Sequence, residues 1–163
     1  MLNGFMLIDD SEDDALLMRV AFRQAGLDEP IRHITETDEA FAYLGGEEKY
    51  SDRNKFPLPD VIFLDLKMPQ TDGFHVIKWI RSQPHLARVF VVVLTNVHDT
   101  KLIQLAYQLG ANSFLSKQAS YEEVLNFAQF FRKFSSVSNR LPRNIEPKDR
   151  RESGEGDASS KIA

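Results

Sequence analysis

Apolar residues along the chain come in two alternating patterns. The first is a short continuous run: Gly4-Phe5-Met6-Leu7-Ile8, Val61-Ile62-Phe63-Leu64, and Val89 to Leu94. Such runs fit strands buried on both faces of a parallel sheet. Ile31 to Ile34 and Asn112 to Ser116 are shorter strand candidates. The second pattern has helical spacing. Leu17, Val20, Ala21 and Ala25 share a face after Ser11, with Asp14 completing a loose capping box and Gly26 as the stop. Thr37 to Leu44 reads as a helix entered by a Thr cap and ended by Gly45-Gly46. Val76, Ile77 and Ile80 repeat between Phe74 and Gln83, and Pro84 closes that helix. Leu102, Leu105, Ala106 and Leu109 follow a cap at Asp99 or Thr100. Ser120 opens a last helix with Val124, Phe127, Ala128 and Phe131 on one face. Strand then helix, five times over, predicts an α/β fold: a doubly wound parallel sheet with right-handed crossovers and helices on both faces.

Two segments break the alternation. Glu47 to Pro59 is polar and reads as a long loop, of the kind that is often functional or mobile. After Ser136 the chain turns charged and gains Pro142, Pro147, Gly154 and Gly156. Residues 1–136 are therefore expected to form one domain, and 137–163 a disordered polar tail with too few apolar groups to offset its ordering entropy. Composition narrows the class. The 163-residue chain is 42% hydrophobic, enough for a core, and has a net charge of -4, which gives no footprint for nucleic acid. Without cysteine there can be no disulfide and no thiolate site. No run approaches a membrane span and the N-terminus lacks a signal pattern, so a cytoplasmic protein is expected.

Chemistry gathers where the strands end. Asp9 and Asp10 follow the first strand, Asp65 ends the third, Thr95 the fourth, and Lys117 follows the fifth. In open parallel sheets ligands bind outside the carboxyl ends of the strands. If the first and third strands are neighbours, three carboxylates share one crevice, which is unfavourable unless a cation fills it. An oxygen-only donor set suits Mg²⁺. A hydroxyl and an ammonium beside it suit a phosphoryl group, so the set describes a phosphoryl-transfer site. Taken singly each residue has an ordinary explanation: Asp9 and Asp10 as helix-entrance acids, Thr95 as a cap, Lys117 as a surface lysine.

Together, Asp9-Asp10, Leu64-Asp65-Leu66-Lys67-Met68-Pro69 with Asp72-Gly73, Leu94-Thr95 and Phe114-Leu115-Ser116-Lys117 resemble the receiver domain of two-component response regulators over about residues 3 to 134. The loop at 47 to 59 also resembles the single-domain regulators that partner phytochromes. The resemblance implies a flavodoxin-like (βα)5 sheet of order 2-1-3-4-5, the order that chemotaxis receivers exemplify. It implies that Asp65 accepts a phosphoryl group from a sensor histidine kinase. Asp10, Asp65 and the backbone carbonyl of Lys67 would hold Mg²⁺, with Asp9 acting through water. Lys117 would pair with phosphoryl oxygens, Thr95 would move onto them, and Phe114 would swing inward as the coupled switch. The chain departs from the family pattern at Gln118, where proline is usual, and at Asn96, where a small residue is usual.

With no output module in the sequence, signalling by protein contact or phosphorelay is expected, rather than enzymatic turnover. Two alternatives stay open: a phosphorylation-independent docking receiver, and a Mg-dependent phosphatase with Asp65 as nucleophile. Phe130 and Phe134 flank the core face of the last helix: either a wide core face and the tail cover them, or they form a contact surface for a homodimer or a downstream protein.

Overall fold

The computed structural model describes residues 3–69, 71–96 and 100–137, with side chains to Phe134. The expected tail lies outside these residues apart from the backbone of Val137, as does the cap candidate Asp99. Five strands form the sheet: β1 (Phe5–Ile8), β2 (Ile31–Ile34), β3 (Val61–Asp65), β4 (Phe90–Thr95) and β5 (Ser113–Ser116). All pairings are parallel and the order is 2-1-3-4-5. The helices are α1 (Glu12–Gln24), α2 (Thr37–Gly45), α3 (Gly73–Ser82), α4 (Thr100–Gln108) and α5 (Tyr121–Val137). A two-stranded ribbon, Lys67–Met68 with Thr71–Asp72, separates β3 from α3.

Alternation along the strands builds two cores. Met6, Ile8, Ile62, Leu64, Val91 and Val93 face α2, α3 and α4. Phe5, Leu7, Phe63, Val92 and Leu94 face α1 and α5. The second core is aromatic: Phe22 meets Phe5 edge-on at 5.0 Å and Phe63 at 5.5 Å. A fully buried side chain of this size contributes roughly 1.5–3 kcal/mol relative to exposure.

Three local expectations change. α1 buries Ala15, Met18, Ala21, Phe22 and Ala25, while Val20 stands exposed and Leu17 is half-buried. The helix carries apolar residues almost all round, and the aromatic floor of Phe5 and Phe63 selects the face that presents Phe22. α2 has no Thr cap: its cap position is Glu36, without a side-chain bond, and Thr37 is the buried first residue. In α4 only Ala106 is buried, and Leu105 is exposed.

The segment 47–59 is packed rather than loose. It forms a turn of 3₁₀ helix at Glu48–Tyr50, buries Tyr50, and sends Arg53 to the carbonyl oxygens of Tyr43 and Leu44 at 2.8 Å each. Those carbonyls lie in the last turn of α2, where Tyr43 also accepts the Gly46 N–H. Among the described residues there is no cis peptide, so Lys117-Gln118 is trans. No described helix is long and apolar enough to cross a membrane.

Candidate phosphoacceptor site

The register places the acids. Ile8 pairs with Leu64, so Asp9 and Asp10 emerge beside Asp65. Carboxylate oxygens of Asp9, Asp10 and Asp65 lie within 4.8 Å of one another. Asp9 and Asp65 are buried, at 0% and 3% exposure, and Asp10 is exposed. On the other side of β3, Thr95 pairs with Ser116, so Lys117 follows next to Thr95, and its N–H donates to the Thr95 carbonyl at 3.0 Å. Thr95 is buried.

Asp65 is held from two directions. The Lys67 N–H donates to Oδ1 at 2.9 Å, and Lys117 Nζ lies 2.8 Å from Oδ2. The ammonium also lies 2.9 Å from Asp9 Oδ2 and 2.9 Å from Asp14 Oδ2. Burial works against the charge on Lys117, but bonds to Asp65, Asp9 and Asp14 outweigh it and raise the pKa above that of an ordinary lysine. Asp9 shows the opposite balance. Burial raises its pKa, and the bonds from Lys117 and the Ser11 N–H only partly offset this. One cation divided among three carboxylates does not compensate the most deeply buried of them.

Asp9 Oδ2 is buried without a hydrogen bond, although the ammonium is close. A buried carboxylate oxygen whose only nearby donor is an ammonium shared with two other carboxylates is costly. Together with an all-carboxylate donor set it fits a hard divalent cation. Asp9, Asp10 and Asp65 are the residues that would hold it. Lys67 sits at the start of the ribbon with its N–H on Asp65, and the metal-binding role of its carbonyl stays an implication of the resemblance. Phe114 does not enter the cluster: it pairs with Val93 and is 43% exposed at the sheet edge.

Two residues join the site that the sequence reading did not place there. In the sequence Asp14 reads as a capping residue alone, although its place in the first turn of α1, just after Asp9 and Asp10, is the signal that puts it here. His33 Nε2 lies 2.7 Å from the Asp9 carbonyl oxygen, and its Nδ1 is 3.6 Å from Glu12. Its only sequence signal was a place at the end of the second strand.

The comparisons agree with this geometry. A family model described as the response regulator receiver domain matches residues 5–129. The response regulator Rcp1 of Synechocystis is 28% identical over 137 residues, covering 84% of this chain and 91% of its own. The phosphorylated cyanobacterial phytochrome response regulator RcpA superposes with a TM-score of 0.75 at 28% identity, covering 88% of this chain and 100% of that one. The Mn²⁺-bound form of Rcp1 gives 0.72 at 28% identity, over 86% and 99%. With a buried aspartate, an acidic trio and a lysine gathered at the strand ends, and a receiver-domain model matching residues 5–129, this protein belongs to the response regulator receiver family.

Proposed function

We propose that the chain is a phosphorylation-dependent signalling protein that takes a phosphoryl group on Asp65 from the phosphohistidine of a sensor kinase. The observation that carries this is the Asp65 carboxylate, buried and oriented by the Lys67 N–H and Lys117 Nζ beside an acidic trio. In the transfer an Asp65 oxygen attacks phosphorus, an acyl–phosphate bond forms, and the bond to the imidazole nitrogen breaks. Lys117, 2.8 Å from Asp65, would bond the transferred oxygens, and the Lys67 N–H would steady the other carboxylate oxygen. A divalent cation, read here as Mg²⁺, would supply charge neutralisation from Asp9, Asp10 and Asp65. Support for a bound divalent ion comes from the Mn²⁺-bound form of Rcp1.

The likeness to RcpA and to the bacteriophytochrome response regulator RtBRR supports a kinase partner of phytochrome type. Acting in the cytoplasm, the phosphorylated chain signals by population shift. Thr95 moves onto the phosphoryl group, and Phe114 leaves its exposed position for the interior. Output is protein contact, including a second copy of the chain docked on α5 through Phe130 and Phe134, which are 66% and 46% exposed.

Acetyl phosphate with Mg²⁺, read by intact mass, tests the reading. The native chain is expected to gain one phosphate that requires the cation, and Asp65→Ala none. Absence of the adduct from the native chain, both with acetyl phosphate and with phosphorylated kinases, would sink the phosphoacceptor assignment.

A further inference from the structure

We propose that Asp14 is a positioning residue for Lys117, whose carboxylate keeps the ammonium beside Asp65 when a divalent cation occupies Asp9 and Asp65. This rests on the phosphoacceptor reading and adds to it a residue outside the acidic trio. A lysine ammonium has three N–H donors, and here three carboxylates surround it: Asp65 at 2.8 Å, Asp9 at 2.9 Å and Asp14 at 2.9 Å. Two of these belong to the candidate metal trio, and Asp14 does not. A divalent cation would satisfy the oxygens that Lys117 holds and would repel the ammonium. Of the three carboxylates, Asp14 alone then keeps its full attraction.

The local fold releases Asp14 for this role. At the third position of α1 it gives its N–H to Ser11 Oγ at 3.2 Å. In a reciprocal capping box its side chain would reach back to the N–H of Ser11. That N–H instead donates to Asp9 Oδ1 at 2.9 Å, so the cap is closed from the other side. The Asp14–Lys117 pair lines a small half-open pocket whose apolar wall is formed by Leu17, Leu94, Leu115 and Val124. Lys117 is 11% exposed and Asp14 31%. An apolar wall on one side strengthens a charge pair relative to one in open solvent. The backbone of Lys117 is fixed by the Thr95 carbonyl, but its four-carbon stem is flexible. A lateral carboxylate is therefore what sets the position of the charge.

The test is a double-mutant cycle in the full chain, crossing Asp14→Asn with Lys117→Ala, with Asp14→Glu as the conservative variant. Two readouts are used: the initial rate of phosphorylation by acetyl phosphate at saturating Mg²⁺, and the Mg²⁺ dissociation constant by calorimetry. Asp14→Asn is expected to slow phosphorylation about fivefold to tenfold, the scale of one ordinary hydrogen bond, since the pair is partly open to solvent. Asp14→Glu should recover part of that rate. In the Lys117→Ala background the same substitution should change the rate less than about twofold, since coupling disappears once the partner is gone. Without Asp14, Lys117 falls back on Asp9 and Asp65 and competes with the cation. The Mg²⁺ dissociation constant should then rise about fivefold with Lys117 present and less than about twofold without it.

Equal effects in both backgrounds would mean that Asp14 acts through the fold or through general charge, and would overturn the proposal. So would unchanged or faster phosphorylation in Asp14→Asn, the mark of a brake rather than a support. If the native chain takes no phosphate at all, the phosphoacceptor reading fails, and the Mg²⁺ cycle alone decides the role of Asp14.

Discussion

Asp9 is a site carboxylate whose burial is only partly compensated. It is buried, one of its oxygens lacks a hydrogen bond, and its pKa is raised from 3.8 by burial. A carboxyl whose folded pKa is above its unfolded value binds its proton more tightly in the native state. The stability it contributes is then greatest below 3.8 and is lost as pH rises through the folded pKa. At neutral pH without divalent cation, Asp9→Asn should therefore raise the melting temperature. The gain should shrink as pH falls through the window above 3.8. Added Mg²⁺ should stabilise the native chain more than the variant, by mass action on the folded state. Thermal melts across pH, with and without the cation, check this, and a variant less stable than the native chain at neutral pH would contradict it.

Among the elements, the junction of β3 with α3 governs the position of Asp65, the proposed acceptor. Gly73 begins α3, and a Cβ there would lie 2.7 Å from the carbonyl oxygen of Asp65 and 2.7 Å from Leu66 Cα. Both are backbone atoms, so the strand end itself must shift. Gly73→Ala is expected to cost about 1–3 kcal/mol, the range for overpacking, and to slow phosphorylation by moving Asp65. Gly45→Ala is the control: the nearest atoms to its Cβ would be those of the flexible Glu47 side chain, from 3.3 Å, at an exposed position near the end of α2. Chemical denaturation and the acetyl phosphate assay separate the two variants, and equal behaviour would refute the crowding argument. Of the local cap signals, Ser11 and Ser120 hold, the latter in a reciprocal box with Glu123, while Thr37 fails because the chain enters α2 one residue earlier, at Glu36. Local signals served poorly where the partner was distant, as in the face of α1 chosen by Phe5 and Phe63.

At the scale of the whole molecule, α1 and α5 pack together over the aromatic core, and the outer flank of α5 is left with Phe130 and Phe134, their rings stacked at 6.4 Å. If a second copy covers this flank, Phe130→Glu combined with Phe134→Glu should convert the phosphorylated chain to monomer. Thermal stability should change little, since surface substitutions of this kind usually stay within about 0.5 kcal/mol. Sedimentation of the phosphorylated native chain and the variant decides it, and a monomeric native chain would remove the homodimer from the proposal.

The alternation of apolar runs and amphipathic stretches determined the five strands, the five helices and the parallel sheet, because burial on both faces leaves a one-dimensional mark in the chain. The acids, Thr95 and Lys117 were legible for the same reason: each sits at the carboxyl end of a run. Tertiary structure decided what depends on register and on unrelated segments meeting. Pairing of Ile8 with Leu64 brings Asp9 and Asp65 together. Lys117 reaches Asp14 across 103 residues of chain, and His33 comes under Asp9. Tyr50 and Arg53 turn the polar segment after α2 into a packed cap. A polar residue in sequence offers several equally good local partners, and only the folded geometry selects among them.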